Sequence, residues 1–182
     1  DLDIALLGEH NLANATLAYH AAVAAGCAPA GVLAGLARMA PVAGRLVPRH
    51  LGAHVVLDDT YNANPGSVLA GLDVLARRGG NRIAVLGAMG ELGEESAAGH
   101  RRVGIEAARL GLPLVVVGSA AAAIAEGYRS AGGEPLAVVA DRAAAAAEVL
   151  RRMASGPQTV LVKASRSAGL EVVVRLIEEA VR

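Results

Sequence analysis

The 182-residue chain reads as an α/β protein whose main body is a doubly wound, mostly parallel sheet with helices on both faces. Three observations predict this. Short β-branched apolar runs alternate five times with longer, alanine-rich stretches of helical period. The runs are apolar almost without interruption, as strands covered on both faces must be. A break at "PVAGRLVP", residues 41 to 48, separates this alternation from a helical opening. Right-handed crossovers would then wind the alternation into a Rossmann-like sheet.

Taken in order, residues 4 to 7 form a short apolar run ending at Gly8. A helix is expected over residues 11 to 25, and a second over 29 to 39 with proline in its first turn. "HVVLDD" (54 to 59) leads into a helix over 65 to 78, and "RIAVLG" (82 to 87) into one over 95 to 110. "PLVVVG" (113 to 118) precedes a helix over 120 to 131, and "PLAVVA" (135 to 140) one over 142 to 154. "TVLVKAS" (159 to 165) is followed by a last helix over 169 to 181.

Composition limits what such a fold can do. Hydrophobic residues make up 54% of the chain, yet there is no Trp or Phe and only three Tyr. The core must be built from Ala, Val, Leu and Ile, which leaves no aromatic platform for nucleic acid. Seventeen basic and seventeen acidic side chains cancel, which argues against a large phosphate-backbone footprint. Cys27 stands alone, so no internal disulfide forms, and a small apolar filler in a reducing cytoplasm is its expected role. The most membrane-like stretch, residues 17 to 37, holds Tyr19, His20 and Pro29 and is read as two helices broken at Gly26-Cys27-Ala28-Pro29. No membrane insertion is therefore expected. The chain opens on Asp1 without a methionine or a leader, and is expected to be a piece of something longer.

Ligands of doubly wound sheets sit beyond the carboxyl ends of the strands. Those ends are "DDTYNANP", "LGAMGELG", "VGSA", "VADR" and "KASRS", so the polar groups gather on one edge. Asp58 and Asp59 point to opposite faces of their strand. One carboxylate could accept from a ribose diol or ligate a cation while the other caps the turn; shape alone leaves binding and turn-making equally open. Asn62 and Asn64 suit tight backbone geometry, and Pro65 suits a first helical turn. Lys163 is the only lysine, and with Ser165, Arg166 and Ser167 behind it could make a carboxylate or phosphate pocket; the alternative is a solvated strand end. Gly87, Gly90 and Gly93 are spaced by three, which is not a dinucleotide fingerprint. No Walker motif, zinc spacing or nucleophile elbow occurs, and the five histidines are scattered. On its own residues the chain reads as a binding unit with no catalytic residue and no metal ligand.

Several stretches together resemble one family. "GEHNLANATLA" (8 to 18), "PVAGRL" (41 to 46), "DDTYNANPGS" (58 to 67), "VLGAMGELG" (85 to 93) with His100, and "VLVKASRS" (160 to 167) occur in order. They are similar to the Mur ligases of peptidoglycan synthesis, and the Y-N-A-N-P block marks the branch that adds D-alanyl-D-alanine to UDP-N-acetylmuramoyl-tripeptide. The resemblance implies that residues 1 to 41 are the last strand and helices of a central ATPase domain, and residues 42 to 182 a whole C-terminal Rossmann-like domain. It implies an ATP- and Mg2+-dependent cytoplasmic ligase whose P-loop and metal ligands lie upstream, so that this piece alone would be inactive. Asn11 and Asn14 resemble adenine contacts, Arg45 a nucleotide-reaching arginine, and Asp59 a ribose acceptor. Tyr61, Asn62 and Asn64 would line the nucleotide cleft. Lys163, Ser165 and Arg166 would hold the acceptor's carboxylate. The family usually has Asp where this chain has Ala88. Other Mur-type ligases, folylpolyglutamate synthase and a non-catalytic binding module are the competing readings.

Overall fold

A computed structural model describes residues 4 to 182; residues 1 to 3 of the opening segment lie outside the described residues. The chain divides into two units, Asp1–Val42 and Ala43–Arg182. Helices α1 (Glu9–Ala24) and α2 (Pro29–Ala37) make up the first. Gly26, at φ 94°, ends α1 while Cys27 N–H returns to Ala22 O at 3.0 Å. Such a left-handed turn suits glycine. Pro29 then opens α2.

Two expectations for this unit need correction. The strand that the resemblance implies within residues 1 to 41 is not found among the described residues, the apolar run at 4 to 7 included. An extended run needs a neighbour for its backbone groups, and the described residues of the unit contain no other strand. Cys27 is exposed and does not fill a core, because it lies in the turn between the helices. No described helix is long and apolar enough to cross a membrane.

The second unit is a six-stranded sheet. Its strands are β1 (Val47–Leu51), β2 (His54–Asp59), β3 (Asn81–Leu86), β4 (Leu114–Val117), β5 (Ala137–Val139) and β6 (Gln158–Lys163), in the order β1-β2-β6-β3-β4-β5. All neighbouring pairs are parallel except β1 with β2. In that antiparallel hairpin, which turns through Gly52 at φ 58°, β2 was expected from the sequence, whereas β1, whose first two residues were read as the end of a joint, was not. Pro48 and the polar Arg49 and His50 hid the strand, yet proline is tolerated where a strand has a partner on one side only.

Helices α3 (Pro65–Ala76), α4 (Ser96–Arg109), α5 (Ala122–Ser130), α6 (Arg142–Met153) and α7 (Glu171–Val181) join the strands. Alternation along each strand divides the core. Val56, Val85, Val115, Val160 and Val162 pack with Val149 of α6 and Val173 and Ile177 of α7. On the opposite face, α3, α4 and α5 lie side by side. The α4–α5 contact is backbone on backbone: a Cβ on Gly104 would come within 2.0 Å of Ile124 O, and one on Gly127 within 2.1 Å of Arg101 O. β2 and β3 lead to helices on one face while β6, lying between them and paired with both up to Lys163, leads to the other, so the loops beyond their carboxyl ends part to opposite faces. That is the crevice where doubly wound sheets hold ligands.

Candidate functional site

Asp58 and Asp59, adjacent in β2, have separate partners. Asp58 is buried and accepts from Arg49 Nη2 at 2.7 Å, Arg49 Nε at 3.0 Å and the Thr60 hydroxyl at 2.7 Å. Arg49 also reaches Glu178 of α7 at 3.1 Å. The hydrogen bond to Asp58 raises the Arg49 pKa above its usual value even though burial opposes it. Asp58 thereby locks β1 to β2. Asp59 faces α3, where a Cβ on Gly71 would stand 3.6 Å from its Oδ2, and pairs with Lys163 Nζ at 2.8 Å. The Lys163 side chain is 2% exposed and that of Asp59 14%.

Lys163 also donates to Asn62 O at 2.9 Å. Ser165, buried, donates to Ala63 O at 3.2 Å and accepts from Gly90 N–H at 2.7 Å. The end of β6 thus holds the Asn62–Ala63 backbone on one side and the glycine-bearing loop after β3 on the other. That loop is further pinned where Met89 N–H donates to His100 Nε2 at 2.8 Å, leaving His100 Nδ1–H for Ser96 O at 2.7 Å. His100 is buried in α4 and is a structural group. With the Gly87, Met89 and Gly90 amides all engaged, the loop presents a scaffold and not a row of free donors.

Between Asp59 and α3 the chain crosses a tight turn. Tyr61 N–H donates to Gly44 O at 2.9 Å, and Leu46 N–H to Asp59 Oδ1 at 3.1 Å. Gly44 has φ 72°, and a Cβ there would meet Tyr61 N at 3.0 Å. The turn that carries Arg45 is thereby clamped to the end of β2 at two points. The Arg45 Cζ stands 4.4 Å from the Tyr61 ring centre, and the Arg166 Cζ 5.4 Å from the same ring. Asn62 accepts from the Ala63 N–H at 2.8 Å. Asn64 caps α3: its Oδ1 accepts from Ser67 N–H at 2.8 Å, and the Ser67 hydroxyl bonds back to the Asn64 backbone. Both asparagine side chains are exposed and make turns.

Six of the expected site residues, Arg45, Asp59, Tyr61, Lys163, Ser165 and Arg166, therefore converge on one edge through loops far apart in sequence. Lys163 and Ser165, expected to face an acceptor, are enclosed and bonded to the protein; Arg166 is exposed. Asn11 and Asn14 lie in the other unit, on α1. Asn11 donates to Leu7 O at 2.7 Å, and Asn14 is exposed. Beside the cluster a cavity of about 320 Å³ is lined by Ala88, Ser119, Asp141, Arg142 and Ser167, at the carboxyl ends of β3 to β6. Asp141 and Arg142, which the sequence placed at a strand's carboxyl end without a role, join this lining beyond β5. Among the described residues no group of three or more His, Cys, Asp or Glu could hold a metal ion.

Residues 44–166 match the family model described as Mur ligase, glutamate ligase domain. Over 181 residues the chain is 41% identical to the UDP-N-acetylmuramoyl-tripeptide--D-alanyl-D-alanine ligase of Escherichia coli K12, covering 98% of this chain and 39% of that one. Among solved structures, MurF from Acinetobacter baumannii superposes with a TM-score of 0.88 at 32% identity, over 98% of this chain and 39% of that chain. MurF ligase from Thermotoga maritima, solved in complex with ADP, gives a TM-score of 0.68 at 29% identity, over 82% and 34% of the two chains. The chain thus spans 39% of the length of the E. coli relative.

Proposed function

The chain belongs to the Mur ligase family, and from that premise we propose that it is the C-terminal portion of a ligase joining D-alanyl-D-alanine to UDP-N-acetylmuramoyl-tripeptide at the expense of ATP. Residues 1 to 41 would close a central ATPase domain, and 42 to 182 would form the C-terminal domain. The observation that carries this reading is the 41% identity to the E. coli D-alanyl-D-alanine ligase across 98% of the chain. The cluster at the sheet edge agrees with it in chemistry: guanidinium groups and a carboxylate are what a nucleotide's phosphates and ribose require.

In the proposed reaction the tripeptide carboxylate takes the γ-phosphoryl group of ATP, giving an acyl phosphate and ADP. The dipeptide amine attacks the acyl carbon, phosphate leaves, and the amine's proton passes to solvent or to a base elsewhere. This chain supplies orientation. Asp59 accepts from the ribose, Arg45 reaches the nucleotide, and Asn11 and Asn14 serve the adenine. Tyr61, Asn62 and Asn64 shape the wall around it. Arg166 faces the acceptor's carboxylate, with Lys163 and Ser165 holding its loop in place. Proximity and exclusion of water are the contributions expected of such a unit. The described residues do not fit a magnesium site. A reaction that consumes ATP and a UDP-linked substrate belongs in the cytoplasm.

The test is an assay of the intact protein with ATP, UDP-N-acetylmuramoyl-tripeptide and either D-alanyl-D-alanine, meso-diaminopimelate or glutamate. Amide product with the dipeptide alone is expected. Product only with either of the others would transfer the chain to another branch. The 182-residue chain alone should not turn over ATP.

A further inference from the structure

The ring of Tyr61 carries two guanidinium groups that no carboxylate among the described residues neutralises. Arg45 and Arg166 stand 4.4 and 5.4 Å from its centre, and neither makes an ion pair among the described residues. The two arginines come from loops more than a hundred residues apart, each fixed at its base: Arg45 by the Gly44–Tyr61 and Leu46–Asp59 hydrogen bonds, Arg166 by Ser165 between Ala63 and Gly90. Tyr61 itself is 40% exposed, and its hydroxyl makes no hydrogen bond among the described residues. Neither core packing nor the phenol explains it. The face of the ring attracts cations, and it gathers two forks that would otherwise repel each other.

We infer that Tyr61 is a positioning residue that joins Arg45 and Arg166 into one oxyanion-binding pair. The ligand is a phosphate or carboxylate group gripped by both guanidinium groups at once, and its sources in the reaction are the nucleotide's phosphates or the acceptor's carboxylate. The inference rests on the ligase reading for those sources. The pair itself rests only on the geometry.

The test uses the intact protein and the variants Tyr61→Leu, Tyr61→Phe, Arg45→Ala, Arg166→Ala and the double arginine variant. Calorimetric titration with pyrophosphate and with D-alanyl-D-alanine reads anion affinity without turnover; KM for ATP and for the dipeptide reads it during turnover. Tyr61→Leu is expected to weaken one of these ligands by about 2- to 30-fold, the range of one or two ring–cation contacts, with an unchanged melting temperature. Tyr61→Phe keeps the ring and should retain most of the affinity. The two arginine substitutions should be less than additive, and become additive when combined with Tyr61→Leu. A loss confined to pyrophosphate and ATP assigns the anion to the nucleotide; a loss confined to the dipeptide, absent for its C-terminal amide, assigns it to the acceptor. Affinities within twofold of wild type in Tyr61→Leu, or equal losses in Tyr61→Leu and Tyr61→Phe, overturn the inference. If the protein ligates nothing, the pyrophosphate titration still decides it, so failure of the ligase reading is told apart from failure of the pair.

Discussion

Removing Asp59 should cost the fold more than removing its partner Lys163, and removing both should cost less than the sum. The pair is 2.8 Å long, and at an effective dielectric constant of about 20 its attraction is about 6 kcal/mol. Desolvating two ions costs several kcal/mol each, so the intact pair contributes little net stability while a lone survivor is expensive. Exposure decides which survivor is worse. In Asp59→Ala an ammonium group 2% exposed keeps only the Asn62 carbonyl, and the loss should be about 3–5 kcal/mol. In Lys163→Met the carboxylate, 14% exposed, keeps the Leu46 amide and some water, and about 2–3 kcal/mol is expected. The double variant should lie within about 1 kcal/mol of the milder single variant. Urea denaturation of the 182-residue chain followed by circular dichroism reads all three. Additive losses, or a costlier Lys163→Met, would refute the reasoning.

Gly104→Ala would force a methyl group to within 2.0 Å of the Ile124 carbonyl oxygen, parting α4 from α5. A loss of about 3 kcal/mol or more is expected, and a thermal midpoint within 2 °C of wild type would mean that the helices separate at little cost. Glu148 gives a prediction in pH. Burial raises its pKa, but hydrogen bonds and charge from Arg151 and Arg152 outweigh this and hold it below the ordinary 4.5. A depressed carboxylate stabilises the fold above the unfolded-state pKa, and that contribution disappears as pH falls through the folded value. The stability gap between wild type and Glu148→Gln should therefore be constant from pH 7 to 5 and shrink below about pH 4.5. Urea midpoints that differ equally at pH 7 and pH 3.5 would contradict this.

The parallel strands were legible because "VVL", "IAVL", "VVV" and "VLV" are apolar on both faces, a pattern few other contexts permit. β1 was not legible: Val47–Leu51 contains Pro48 and two polar residues, and only its place at the sheet's edge makes it a strand. The run at residues 4 to 7 failed in the opposite sense, since apolar content cannot supply a pairing partner. Within the candidate site, the division between Asp58 and Asp59 followed from strand alternation. That Asp58 would be claimed by Arg49 depended on the unforeseen strand. The enclosure of Lys163 and Ser165 was hidden for a similar reason: their partners, Asn62 O and Ala63 O, are backbone atoms, and no side-chain pattern announces them. The meeting of Arg45, Tyr61 and Arg166 joins three loops and is a property of the folded sheet edge alone.

The enclosure of Lys163 has a consequence for labelling chemistry. It is the chain's single lysine, so every other side-chain cation is an arginine or a histidine, and acylating reagents find no exposed side-chain amine. Modification of Lys163 must wait until the sheet edge opens far enough to release it from Asp59. In this chain the rate of that one acylation, counted by mass, is a clock for local opening of the candidate site. A ligand that clamps the edge should slow it.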